Sequence, residues 1–249
     1  MPRPRRAPCA APRIAVLGLA ALLSAAATAD SLGGDIHSTG EAEVRGAAPG
    51  VQRYSVSASR CGERLSTEWR RPDGELVAKE EVELAEGRWV RYRLQRPNIG
   101  QDLRAERRGT TVTLVDGARP GRAPTRLAGR GSLVAGPELV PFLQARFDEL
   151  RAGRAVEFDY LVAERSMILG FVARTRPATG RLVVELEASS VLLRPFVPET
   201  VLEFAADGGL SKVTGRMLPV AGDARDPTPL DGVLRMLTTQ SSCNTRSLS

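Results

Sequence analysis

The chain has 249 residues, 42% of them apolar, with 35 basic side chains against 29 acidic ones and a formal net charge of +6. The basic excess does not make a polyanion-binding footprint, because the charges alternate in sign along the chain instead of clustering, and no nucleic-acid partner is expected. A single histidine, His37, argues against a histidine-based catalytic triad or a multi-histidine metal site.

The first 29 residues read as an export signal. Arg3, Arg5, Arg6 and Arg13 form a cationic start, Ile14 to Leu23 an apolar run, and Ala27-Thr28-Ala29 a small-residue cleavage site before Asp30. The uncharged stretch from Ile14 to Ala29 covers 16 residues, short of the roughly 20 that a spanning helix requires. Cys9 precedes the apolar run and so does not match a lipoprotein signal. The expected mature chain begins at Asp30, is exported, most naturally to a periplasm, and does not span a membrane. Cleavage removes four of the 35 basic residues and none of the 29 acidic ones, leaving 31 against 29 and a charge of +2. The mature chain keeps two cysteines, Cys61 and Cys243, an even pair in a compartment where disulfides persist. Bonded, they close a loop of about 180 residues worth roughly 4 to 5 kcal/mol; otherwise they are two unrelated thiols.

A flexible N-terminus is expected over residues 30–45, followed by one β-rich domain over 46–218. Val51 to Ser59 reads as a strand. From Arg64 to Arg96 the pattern is period two, interrupted by turns at Pro72-Asp73-Gly74 and Ala85-Glu86-Gly87. It predicts a three-stranded antiparallel meander. Leu76, Ala78, Val82 and Leu84 share one face; Val90, Tyr92 and Leu94 share another, with Trp89, Arg91 and Arg93 opposite. On the polar side Glu81 and Glu83 are expected near Arg91 and Arg93. Thr110 to Val115 is a further strand, and the glycines and prolines of 117–136 predict a loop.

Leu139, Leu143, Phe147 and Leu150 recur at helical spacing between Pro137 and Gly153, which predicts one amphipathic helix near 138–152 packed on the sheet. Strands resume at 156–162, 167–173, 182–188, 201–206 and 210–216. Residues 219–249 are expected to form a mostly irregular tail. Nine or ten strands and one helix make an α+β, mostly antiparallel fold: a curled sheet or half-barrel, since a sheet that large tends to curl, with a β-sandwich as the alternative.

Within residues 132–216, Leu139-Val140-Pro141-Phe142, Asp148-Glu149-Leu150 with Gly153, the strand pair at 156–173, and Phe204 followed by Asp207-Gly208-Gly209-Leu210 resemble uncharacterised exported bacterial proteins of unknown function. These in turn are similar in architecture to the curled-sheet periplasmic carriers of lipids and lipoproteins. The resemblance implies a concave apolar surface able to hold an acyl chain.

Nothing in the sequence carries a nucleophile elbow, a phosphate loop or a dinucleotide fingerprint. The acidic pairs Glu157/Asp159 and Glu185/Glu187 lie two apart on strands, where a solvated face is the ordinary explanation, and a carboxylate-based enzyme is the remote alternative. The expected protein is therefore non-catalytic, without cofactor or metal. It binds an apolar or amphipathic ligand such as a lipid, or alternatively contacts an envelope protein without a small ligand. Residues expected to line a ligand site are Phe158, Tyr160, Val162, Leu169, Phe171, Leu192 and Phe196.

Overall fold

The computed structural model describes residues 36–45, 51–176, 178–222 and 227–240, with the side chains of residue 196 and residues 238–240 excepted. The expected export signal, its cleavage point at Ala29 and Asp30, and Cys243 lie outside the described residues.

Fifteen strands form one sheet. In chain order they are β1 (Ile36–Arg45), β2 (Val51–Cys61), β3 (Arg64–Arg70), β4 (Leu76–Ala85), β5 (Arg88–Arg96), β6 (Gln101–Arg108), β7 (Thr111–Asp116), β8 (Thr125–Ala128), β9 (Leu133–Val134), β10 (Val156–Val162), β11 (Met167–Arg176), β12 (Leu182–Ala188), β13 (Thr200–Phe204), β14 (Leu210–Gly222) and β15 (Pro227–Gln240). Their spatial order runs β8 to β1 and then β15 down to β9. Two antiparallel meanders therefore meet at a seam where β1 pairs with β15. Every pairing is antiparallel except that of β9 with β10.

The sheet is not closed by a strand ladder, but its two edges are tied by one stretch of chain. Residues 125–128 pair with β7 at one edge, and residues 133–134 pair with β10 at the other. Between them, the backbone N–H groups of Arg130 and Gly131 donate to the Asp159 carboxylate, and Asp159 N donates to Ser132 O at 2.9 Å. Asp159 thus anchors the bend that joins the edges. The sheet is curled and unclosed, as expected, although helix makes only a small part of it.

The meander over 64–96 forms as the alternation predicts, with Arg91 and Glu83 3.1 Å apart on its outer side. One orientation differs. Trp89 is 0% exposed and not on the polar side, because a register shift between Glu83 and Leu84 adds a residue to the pairing and such a bulge reverses the facing of the neighbouring residues.

Both ends of the domain extend further than composition suggests. Residues 36–45, expected to be flexible, form β1, with Ala42 and Val44 fully buried; the period-two pattern there is short and diluted by Gly and Ser. Residues 219–222 and 227–240, expected in an irregular tail, belong to β14 and β15. Pro227 and Pro229 pair with β14, beyond the last β1 partner at Asp231. Their missing N–H groups therefore fall where β15 has, among the described residues, no second neighbour, one of the places in a sheet that tolerate proline. Gly232 is required inside the seam: a Cβ there would lie 2.3 Å from the Glu43 carbonyl oxygen.

The single helix expected near 138–152 is two short helices, α1 (Leu139–Gln144) and α2 (Phe147–Arg151), preceded by a 3-10 turn at Gly136–Glu138. Arg146, at φ −119° between them, breaks the helical course. The apolar stripe nonetheless packs as its spacing predicts: Leu143 and Leu150 are 0% exposed against Phe158, Val184, Leu202 and Phe204. A second cluster joins the inner faces of β3 to β7 to Leu133, Ala135, Leu161 and Ala163; a third lies across the β1/β15 seam. β10 is apolar on both faces because Phe158 enters the helix-side cluster while Leu161 enters the opposite one.

Candidate functional site

Of the residues expected to line a ligand site, the structure brings Phe158, Tyr160 and Phe171 into contact with one another. Phe158 and Phe171 stack at 5.9 Å, Phe142 of α1 lies 5.2 Å from Phe158, and Tyr160 meets Phe171 edge-on at 6.1 Å. Val162 and Leu169 are half-buried near the ends of β10 and β11. Leu192 is not part of any lining: it is 82% exposed, beside Val191 at 71% and Leu193 at 39%. The chain there turns through a short 3-10 segment, Arg194–Phe196, instead of pairing in the sheet. The side chain of Phe196 lies outside the described part.

The unusual chemistry lies elsewhere, on the inward faces of β4 and β5. Along β4 the inward positions are Ala78, Glu80, Val82 and Leu84, so one carboxyl interrupts an apolar row. Tyr92 of β5 donates from its hydroxyl to Glu80 Oε1 at 2.6 Å. Glu80 keeps some exposure as a residue, but its carboxyl is enclosed against the backbone of Gly136. Gly136 has φ +47°, and a Cβ there would approach Tyr92 Cε2 to 2.8 Å and the Glu80 carboxyl carbon to 3.2 Å. Only glycine supplies that backbone at that distance. From the other side, the Tyr160 phenol comes up against the Gly136 backbone. Groups from β4, β5 and β10 thus meet at one glycine of the segment between β9 and α1.

Two carboxyls in this cluster are held near neutrality. Burial pushes Glu80 up to about 7, and the Glu164 charge adds to it, while the Tyr92 hydrogen bond and Arg96 oppose the rise. Burial likewise pushes Glu138 up to about 7 against hydrogen bonds from the Ala135 and Trp89 backbones and the charges of Arg107 and Arg146. Burial also raises Tyr92 and Tyr160, so both phenols stay protonated. Arg96 is 4% exposed, with Nε on Leu218 O at 2.9 Å, Nη1 on Gln101 Oε1 at 2.9 Å and Nη2 4.0 Å from Glu164. Its contact with Leu218 occupies the stretch of β14 that leaves the β15 ladder between Arg216 and Val220.

The signal for Glu80 and Arg96 is present in the sequence as a polar residue on the apolar side of a period-two run. It is weak because lone violations of alternation also arise from bulges. Three of the four acidic residues singled out from the sequence are otherwise engaged: Glu185 with Arg176 at 3.0 Å, Glu187 with Arg194 at 3.5 Å, and Asp159 with the bend between the sheet's edges. Two open clefts, of about 470 and 490 Å³, lie on the outer surface: one is floored by Thr111 and Thr113 between Arg108 and Arg126, the other lies along the seam near Gly215 and Gly232. Neither is lined by the Glu80 cluster. Among the described residues no group of three or more His, Cys, Asp or Glu is placed to hold a metal, and no helix is long and apolar enough to cross a membrane.

No protein-family model matches the chain, and no curated protein matches it in sequence. Among solved structures it is similar to a β-barrel-like protein of the domain of unknown function DUF1849 from Brucella abortus, with 6% identity and a TM-score of 0.49 over 84% of this chain and 98% of that one.

Proposed function

We propose that this chain is a non-catalytic, exported envelope module that works through surface contacts with a partner rather than by carrying a small ligand inside its sheet. The observation that supports this reading is the occupied interior. Trp89, Leu94, Leu143, Leu150 and Phe204 are each 0% exposed, and the aromatic residues that would have lined a lumen stack on one another. A carrier needs a cavity of several hundred cubic ångströms with apolar walls, and close-packed side chains leave no such space. Val191 and Leu192, exposed side by side, are the apolar surface this reading assigns to the contact.

A second reading, a carrier of an apolar or amphipathic ligand such as a lipid, is supported by the curled sheet, an architecture compatible with ligand binding. Native mass spectrometry of the exported protein, with organic extraction, separates the two. The proposed reading expects the bare mass of the mature chain and no extracted lipid. A stoichiometric lipid released on extraction would overturn it in favour of the carrier.

A further inference from the structure

The segment Leu133–Gln144 runs from the sheet's edge into its interior and is gripped from both sides at Gly136. On one side stand Glu80 and Tyr92, on the other Tyr160. We infer that this contact is a proton-operated latch: it holds the segment against β4 and β5 while Glu80 is neutral and loosens it when Glu80 ionises.

The geometry supplies the reasons. The Glu80 carboxyl is enclosed and takes one hydrogen bond, from Tyr92; among the described residues no cation forms an ion pair with it. The positive charge that faces it, Arg96 of β5, is already committed to Leu218, Gln101 and Glu164. The other facing charge, Glu164 after β10, is of the same sign as an ionised Glu80 and opposes it. Tyr160 of β10 remains a neutral phenol. Glu138, on the segment itself, faces Arg107 of β6 and Arg146, and its carboxylate accepts the Ala135 N–H at 3.3 Å. An ionised Glu80 must therefore find water, and the nearest way to admit it is to lift Gly136, whose backbone closes over the carboxyl.

The base of the segment is held independently of that proton. Trp89 Nε1 and Arg107 Nη1 each donate to Leu133 O at 3.0 Å. Loosening is thus expected to start beyond Leu133 and to spread into α1, presenting Leu139, Val140 and Phe142, which are half-buried when the latch is closed.

The test is hydrogen exchange on the full mature chain, corrected for the intrinsic pH dependence of exchange, at pH 6 and pH 8. Amides of residues 135–144 are expected to lose about tenfold or more of their protection between the two, while those of β12 and β13 hold theirs. Glu80→Gln should keep its pH 6 protection at pH 8. Tyr92→Phe removes the one hydrogen bond to the carboxylate, so its loss should move to higher pH. Protection of residues 135–144 that does not change with pH in the unsubstituted protein, or that falls equally in Glu80→Gln, overturns the latch. A Tyr92→Phe midpoint that stays put or moves to lower pH does so as well.

Discussion

Glu80 shows how much one side chain can set when its surroundings are dry. Its ordinary value lies near 4.5 and its folded value near 7, so the folded state holds a proton that the unfolded chain has already given up. Stability contributed by that proton is fully present below about pH 4.5, declines as pH rises through the window up to 7, and is gone above it. Glu80→Gln keeps a group that accepts from Tyr92 and removes the charge. The substitution should therefore be close to neutral at pH 4.5 and stabilising at pH 8, by up to about 3 kcal/mol at 1.36 kcal/mol per pH unit. Urea unfolding at the two pH values checks this, and an equal effect at both would refute it. Gly136 is the complementary residue. Gly136→Ala places a methyl group against Tyr92 and Glu80 at a positive φ, and should cost about 1 to 3 kcal/mol at pH 6, where the segment is closed over them, measurable by the same unfolding experiment.

At the scale of elements, alternation served best where both neighbours of a strand were themselves regular. The meander from β3 to β5 and the strands from β10 to β13 are legible because apolar residues recur every second position over seven or more residues, or between clear turns. β1 and β15 are not, because what makes them strands is each other: the seam pairs His37–Arg45 with residues 231–240, and no local composition reports a partner more than 180 residues away. The aromatic group under α1 was legible as apolar but not as core or lumen, since periodicity reports which residues face inward and not whether space remains there. Packing answers that. Phe158, 4% exposed between Phe142 and Phe171, should cost about 3 to 5 kcal/mol when replaced by Ala. Leu192→Ser, at 82% exposure, should stay within about 0.5 kcal/mol of the unsubstituted protein while weakening partner contact. Calorimetry of the two variants distinguishes core from surface directly; a large loss for Leu192→Ser would show that the loop is structural.

For the whole molecule, the seam is where the chain's two ends are joined, and its register bears on the disulfide. Cys61 is disulfide-bonded, with a partner outside the described residues. The chain has three cysteines, so that partner is Cys9, in the expected signal, or Cys243. Ile36 of β1 faces Arg60 of β2, and across the seam His37 faces Gln240 of β15; Cys61 and Gln240 therefore stand at the same end of the sheet, with β1 between their strands. Two strand spacings make about 9.6 Å, and the three residues from Gln240 to Cys243 reach about 10 Å when extended, enough to bring the Cα atoms within the 4.4 to 6.8 Å that a disulfide needs. A bridge from Cys61 to Cys243, the pairing expected from the sequence, would fasten β15 to β2 across a join that no local sequence signal enforces. Reduction should lower the unfolding free energy by about 4 to 5 kcal/mol, less any strain. Cys61→Ser and Cys243→Ser should each reproduce the loss, and the double variant should add nothing further, because either change removes the same link. Denaturant unfolding with and without reductant, beside the intact mass of the exported chain, decides it. Two free thiols in the oxidised protein, or additive losses in the double variant, would separate the pair and leave the seam held by its hydrogen bonds and the apolar cluster across it.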